Sequence, residues 1–142
     1  MTFTARLALA VALLLAPLTA LAQDKAAVLV TSSGQALDAF TVKTLLGRAG
    51  VANDYDPHAS AADLDGRSAV VIAVGASVKG FGAAGITAET EIQRTTALLD
   101  AAKAAGVKII GVHIGGAERR QGLSEQFVQL SLIHISEPTR PY

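Results

Sequence analysis

The chain contains no cysteine and no tryptophan, and aromatic residues make up only 4% of it. Without cysteine there are no disulfides, even in a compartment that would permit them. The missing thiol also excludes a lipid-modified cysteine behind a leader peptide. With so few aromatic rings, a core must be built from Val, Ile, Leu and Ala. An excess of one charge is missing too, because 12 Lys+Arg balance 12 Asp+Glu. Such a balance makes no electrostatic case for nucleic acid or for an anionic membrane surface. No internal repeat or low-complexity segment interrupts residues 23–129.

One long hydrophobic run is present, and it lies at the N-terminus. Arg6 precedes the almost wholly apolar stretch Leu7 to Leu18, and Ala20-Leu21-Ala22 has the form of a cleavage site. This is the pattern of a secretory signal peptide over residues 1–22. The run is short for a membrane span, and Pro17 sits near its end. The mature chain is expected to begin near Gln23 and to be periplasmic or secreted, with no stable membrane anchor.

At the other end, LSLIHISEPTRPY (residues 130–142) resembles the translation of a transposase-adapter sequence used in sequencing libraries. Leu132, Ile133 and Ile135 continue no periodic pattern, and Pro138 and Pro141 break any regular element. Residues 130–142 are therefore expected to be a non-native tail, and the domain over 23–129 to be incomplete. His134, Glu137 and Arg140 then carry no functional weight.

The segment between those ends is long enough for one domain. Ala26 to Thr31 is a short β-branched apolar run and predicts a first strand. A helix is expected from Ala36 to Ala49, with Leu37, Phe40, Leu45 and Leu46 as its apolar stripe, Ser33 as N-cap and Gly50 at its end. A short strand over Ala52 to Tyr55 and one helical turn over Ser60 to Leu64 follow. Arg67 to Val74 is apolar nearly throughout, as expected for a strand covered on both faces. Thr87 should cap a helix running to Ala105, with Glu89 and Glu91 in its first turns and Gly106 closing it. Val107 to Ile114 predicts another buried strand, and Leu123 to Leu130 a last helix. Strands alternating with helices imply a parallel sheet with right-handed crossovers. The expected fold is a three-layer α/β sandwich of flavodoxin-like or Rossmann-like type.

Two glycine-rich loops follow the two clearest strands. One is GASVKGFGAAG, from Gly75 to Gly85, and the other is HIGGAERRQG, from His113 to Gly122. Glycine turns at strand ends let backbone N–H groups approach an anion closely. In an open α/β sheet, ligands bind beyond the carboxyl ends of the strands. The loops after all three main strands converge there and bring Ser32, Ser33, Gln35, Ser77, Lys79, His113, Arg119 and Arg120. The expected partner is a small carboxylate, phosphate or sugar acid. Lys79, Arg119 and Arg120 would supply charge. The N–H groups of Gly80, Gly82, Gly115 and Gly116 would form a cradle, with Ser33, Gln35 and Ser77 orienting the ligand. Arg119 and Arg120 have a competing use in an ion pair with Glu118, Glu125 or an acid of the preceding helix.

Other chemistries fit less well. Gly80-Phe81-Gly82-Ala83-Ala84-Gly85 matches G-x-G-x-x-G, but the strand ends near Val74 and the next helix is expected only after Thr87. The following strand brings no acid for a ribose. No Gly-Lys-Ser/Thr follows Gly75, so no Walker A loop is present, and no cofactor is expected. Gly75-Ala76-Ser77-Val78-Lys79 begins like a nucleophile elbow but has Lys where the motif needs Gly. A hydrolase using Ser77 and His113 remains an alternative, as does a non-catalytic envelope protein with an exposed apolar patch. Asp54, Asp56 and His58 alternate in a way that invites comparison with a metal site, yet their spacing fits no strong ligand pattern, and a solvated turn is expected.

VTSSGQALDAFTVKTLL, GASVKGFGAAGIT, ETEIQR and GVHIGGAERRQGLSEQF together resemble a family of secreted bacterial proteins described only as a domain of unknown function. The resemblance spans Val28 to Gln129. It implies a single α/β domain behind a signal peptide, continued by a further strand and helix. It implies no activity, substrate or catalytic residue.

Overall fold

In this computed structural model, the described residues are 25–134. The expected leader and the end of the adapter-like string lie outside them. Four strands form one sheet in the order β2-β1-β3-β4, every neighbouring pair being parallel. They are β1 (Val28–Ser33), β2 (Asn53–Tyr55), β3 (Ala69–Val74) and β4 (Lys108–Val112). The helices are α1 (Asp38–Arg48), α2 (Val78–Ala84), α3 (Ala88–Ala104) and α4 (Leu123–His134), with single 3₁₀ turns at Ala61–Leu64 and Ala117–Arg119. This is the expected α/β sandwich, of flavodoxin-like or Rossmann-like type.

Alternation along the strands sorts the core into two layers. Leu29, Val70, Ile72 and Val74 face α3 and α4, where they meet Leu98, Leu99, Ala102 and Phe127. Val30, Val71 and Ala73 face α1, where they meet Ala39 and Val42. The two central strands are buried along almost their whole length. β1 pairs with β3 from Val28↔Ala69 to Ser33↔Val74, so both reach the carboxyl edge together. The strand order reverses between β1 and β3, which makes that edge the topological switch point of the sheet.

Helix α3 begins and ends as expected. The Thr87 hydroxyl accepts from the Thr90 N–H, Glu89 and Glu91 lie in the first turn, and Gly106 follows with φ 69°. The 3₁₀ turn at Ala61–Leu64 is held by a capping box between Ser60 and Asp63.

Six expectations need correction. Ser33 does not cap α1; it is the last residue of β1, fully buried, and its hydroxyl has no partner among the described residues. Helix α1 starts later, at Asp38, after Leu37 and with no side-chain cap. Its buried row is Ala39 and Val42 with Leu46 behind them, while Leu37, Phe40 and Leu45 point outward, 85%, 53% and 55% exposed. The small row wins because small side chains let the helix lie close on the β-branched sheet face.

The first glycine loop is largely a helix. Ser77 caps it, Gly85 ends it in the left-handed region, and Phe81 anchors it in the core, 6.0 Å from Phe127 between ring centroids. Tertiary packing of one phenylalanine outweighs the poor helix propensity of two glycines.

Strand β4 is not buried on both faces. It is an edge strand, and Ile110 is 40% exposed because α1 covers β1 and β3 without extending over it. Finally, α4 continues past Leu130 to His134. Leu130 packs on the core and the buried Ser131 hydroxyl donates to the Val128 carbonyl, while Leu132 and Ile133 face solvent.

Candidate functional site

The carboxyl edge divides into two halves. Over β1 and β2 it is sealed by side chains. Strand β2 stops at Tyr55, opposite Val30, so the end of β1 outruns its neighbour. The Ser32 carbonyl then has no ladder partner on that side. Arg94, from α3, donates to it and to the Ala59 carbonyl. Glu91, one turn earlier, is 1% exposed. Its carboxylate accepts from the Gly34 N–H at 3.0 Å, the Gln35 amide at 3.0 Å, Arg94 Nε at 2.8 Å and Arg94 Nη2 at 2.7 Å. The Gln35 amide also donates to the Pro57 carbonyl. One buried ion pair thus ties together β1, the Gly34-Gln35 turn, the loop after β2 and α3.

Backbone packing tightens this seal. Gly34 has φ 100° and Gln35, though not glycine, has φ 59°. A Cβ on Gly34 would lie 2.4 Å from the Gly75 carbonyl oxygen, and one on Gly80 would lie 2.3 Å from that of Gln35. These glycines are needed for the contact between two loops, which leaves no cleft there for a ligand.

Over β3 and β4 the edge is more open. The Ser77 hydroxyl accepts from the Gly80 N–H at 3.0 Å, and Gly82 lies within α2. The cradle expected from Gly80 and Gly82 is therefore committed to the helix. Lys79 projects from α2 and is exposed, and so is Arg119 in the next loop. Neither forms an ion pair among the described residues. In the second loop, no protein acceptor takes the N–H groups of Gly115 and Gly116 among the described residues. The Arg119 stem lies directly over Gly115.

Arg120 takes the competing role. Its Nε and Nη2 each donate to Glu125 at 3.1 Å, and Gln129 donates to the same carboxylate. The guanidinium holds the Glu125 carboxyl below the usual range, and the Gln129 amide adds to this.

His113 is held by two carbonyl oxygens, Val74 at 2.8 Å from Nδ1 and Gly116 at 3.1 Å from Nε2. A ring nitrogen facing a carbonyl is not free to take a substrate proton. No hydrogen bond joins His113 to Ser77 among the described residues. The fold thus gathers Gln35, Ser77, Lys79, His113 and Arg119 on one edge but assembles no serine–histidine pair. Asp56 Oδ1 accepts from the His58 N–H in a turn, and Asp54 pairs with Arg67.

Sequence reasoning missed Glu91 and Arg94 as parts of this edge. ETEIQR offered a signal, a three-residue Glu-to-Arg spacing just inside a helix start, but that spacing is common on solvated helix faces.

A shallow groove of about 610 Å³ lies elsewhere, at the amino edge, lined by Lys43, Gly47, Arg48 and Asn53 among others. It holds two cations, yet it sits at the C-terminal end of α1, where the helix dipole disfavours an anion. The carboxyl edge is the better candidate because Lys79 and Arg119 are exposed on it beside N–H groups without a protein acceptor among the described residues.

A family model described as a domain of unknown function (DUF6305) matches residues 25–136. The chain belongs to this family. No curated protein and no solved structure matches it. Family membership spans the whole of the described fold, so both halves of the carboxyl edge lie within the DUF6305 domain.

Proposed function

We propose that this DUF6305 chain is an exported domain that binds a small carboxylate, phosphate or sugar acid at the β3–β4 half of the carboxyl edge. The observation that carries the reading is the Gly115–Arg119 loop. Two neighbouring N–H groups lack a protein acceptor there among the described residues, beside an arginine that forms no ion pair among them. N–H pairs and guanidinium groups are the usual means of holding an oxyanion. Lys79 comes from the neighbouring strand's loop and adds a second point charge. Export rests on the leader pattern of residues 1–22. A thermal-shift screen with phosphate, citrate and sugar acids tests the binding. Stabilisation by at least one anion is expected in the native protein and should be lost in Arg119→Ala. An anion that stabilises both proteins equally would count against the site.

A second reading, a non-catalytic interaction protein of the envelope, draws on outward-facing Leu37, just before α1, and Phe40 and Leu45 within it. It predicts self-association or capture of a partner that Phe40→Ser weakens. A monomer at high concentration, with or without that change, would count against self-association.

A further inference from the structure

Glu91 is a buried acid that the proposed ligand site does not use. Its four donors come from a main-chain N–H, a side-chain amide and one guanidinium, and all converge on a single carboxylate. That is how a protein holds a bound carboxylic acid, with a bidentate arginine and oriented N–H groups. The place is also where open α/β sheets receive ligands. Two further observations mark it as more than a surface pair. Ser33 and Thr31, on the strand face turned toward α3, are fully buried, and their hydroxyls have no partner among the described residues. Gln35 is held in the left-handed region although it is not glycine, a strain that persists only when surrounding contacts enforce it.

We infer that the switch point of this sheet is a carboxylate-binding site that the chain ligates with its own Glu91. The side chain acts as a resident ligand. It fills the pocket, neutralises Arg94 and holds the Gly34-Gln35 turn shut against Gly75 and Gly80. External anions are thereby kept from this half of the edge. The inference is independent of the proposed function, since it concerns different residues and survives whether or not Arg119 binds anything.

The test is chemical rescue. Glu91→Ala removes the carboxylate and leaves Gly34, Gln35 and Arg94 as unfilled donors. Formate and acetate are the probes, with chloride at equal ionic strength as the control. The variant should melt well below the native protein. Formate or acetate should raise its melting temperature saturably, by several degrees more than they raise that of the native protein. The double variant Glu91→Ala/Arg94→Met should show no such rescue. Glu91→Gln fills the same space without charge, so it should be destabilised and not rescued.

Should Glu91→Ala fail to fold, refolding it in formate should recover soluble protein that chloride does not. Equal responses of native and variant proteins to formate would overturn the inference. So would rescue that persists without Arg94, or a Glu91→Ala variant as stable as the native chain.

Discussion

The two halves of the carboxyl edge carry similar chemistry and use it in opposite ways. Over β1 and β2, Arg94 is matched by Glu91, and the Gly34 N–H and Gln35 side-chain amide already have their acceptor. Over β3 and β4, Lys79 and Arg119 are exposed, and the Gly115 and Gly116 N–H groups have no protein acceptor among the described residues. The difference follows from strand length. Because β2 ends early, carbonyls at the end of β1 and in the following loop must find donors, and α3 supplies them. Beside β4, which ends opposite Ala73, β3 runs on by a single residue and His113 meets the Val74 carbonyl, so Lys79 and Arg119 are left without an ion pair among the described residues. A cationic residue near a glycine turn is therefore informative only once its partners are known.

The largest effect should come from breaking the sealed half. Removing one member of a buried ion pair leaves the other uncompensated and costs about 3–5 kcal/mol. Glu91→Ala and Arg94→Met should each lose that much in urea unfolding. The double change to Leu and Met should cost less than the two single losses summed. Simple additivity would mean that the pair does not act as a unit.

Glycine substitutions sharpen the comparison next. Gly80→Ala drives a methyl into the Gln35 carbonyl and should cost about 1–3 kcal/mol, in the range of overpacking. Gly82→Ala, two residues on and open to solvent, should be neutral or stabilising by up to about 1 kcal/mol. Equal effects from the two would show that α2 does not press on the Gln35 turn.

Acid sensitivity should arise away from both halves. The Asp54 carboxyl is held below its ordinary value chiefly by the Arg67 guanidinium, and that of Asp63 by the Ser60 N–H and hydroxyl. Since each folded-state value lies below the unfolded one, each group stabilises the fold above the ordinary carboxylate range. That contribution fades as pH falls through the range toward the depressed values. Both side chains are largely solvated, so the effect should be modest. Asp54→Asn should flatten the fall in stability measured by urea unfolding between about pH 5 and pH 3. An unchanged profile would remove Asp54 as a source.

The smallest stability effects belong to the open half. Lys79→Ala and Arg119→Ala should stay within about 0.5 kcal/mol of the native protein, as exposed unpaired cations do. A larger loss would give them a structural role.

Much of the fold was legible because the strands are short β-branched runs separated by helical spacing. Thr87, Gly50 and Gly106 mark helix ends as propensity alone would place them. Other features were settled by contacts distant in sequence. Leu37, Phe40 and Leu45 form as good an apolar stripe as Ala39, Val42 and Leu46, and only the close approach of helix to sheet decides between them. The helix within GASVKGFGAAG depends on Phe81 finding Phe127. On the candidate site, residue type pointed to the carboxyl edge, yet it did not separate Arg119 from Arg120, since only the fold sets Arg120 beside Glu125. Glu91 was invisible for the same reason, because nothing local tells a buried glutamate from a solvated one.

Amide NMR spectra recorded during titration with phosphate or citrate test the division of the edge most directly. Saturable shifts are expected at Lys79 and across Gly115 to Arg119, while Gly34 and Gln35 stay still because Glu91 already occupies them. Shifts centred on Gly34 and Gln35, or none beyond those caused by chloride, would contradict it.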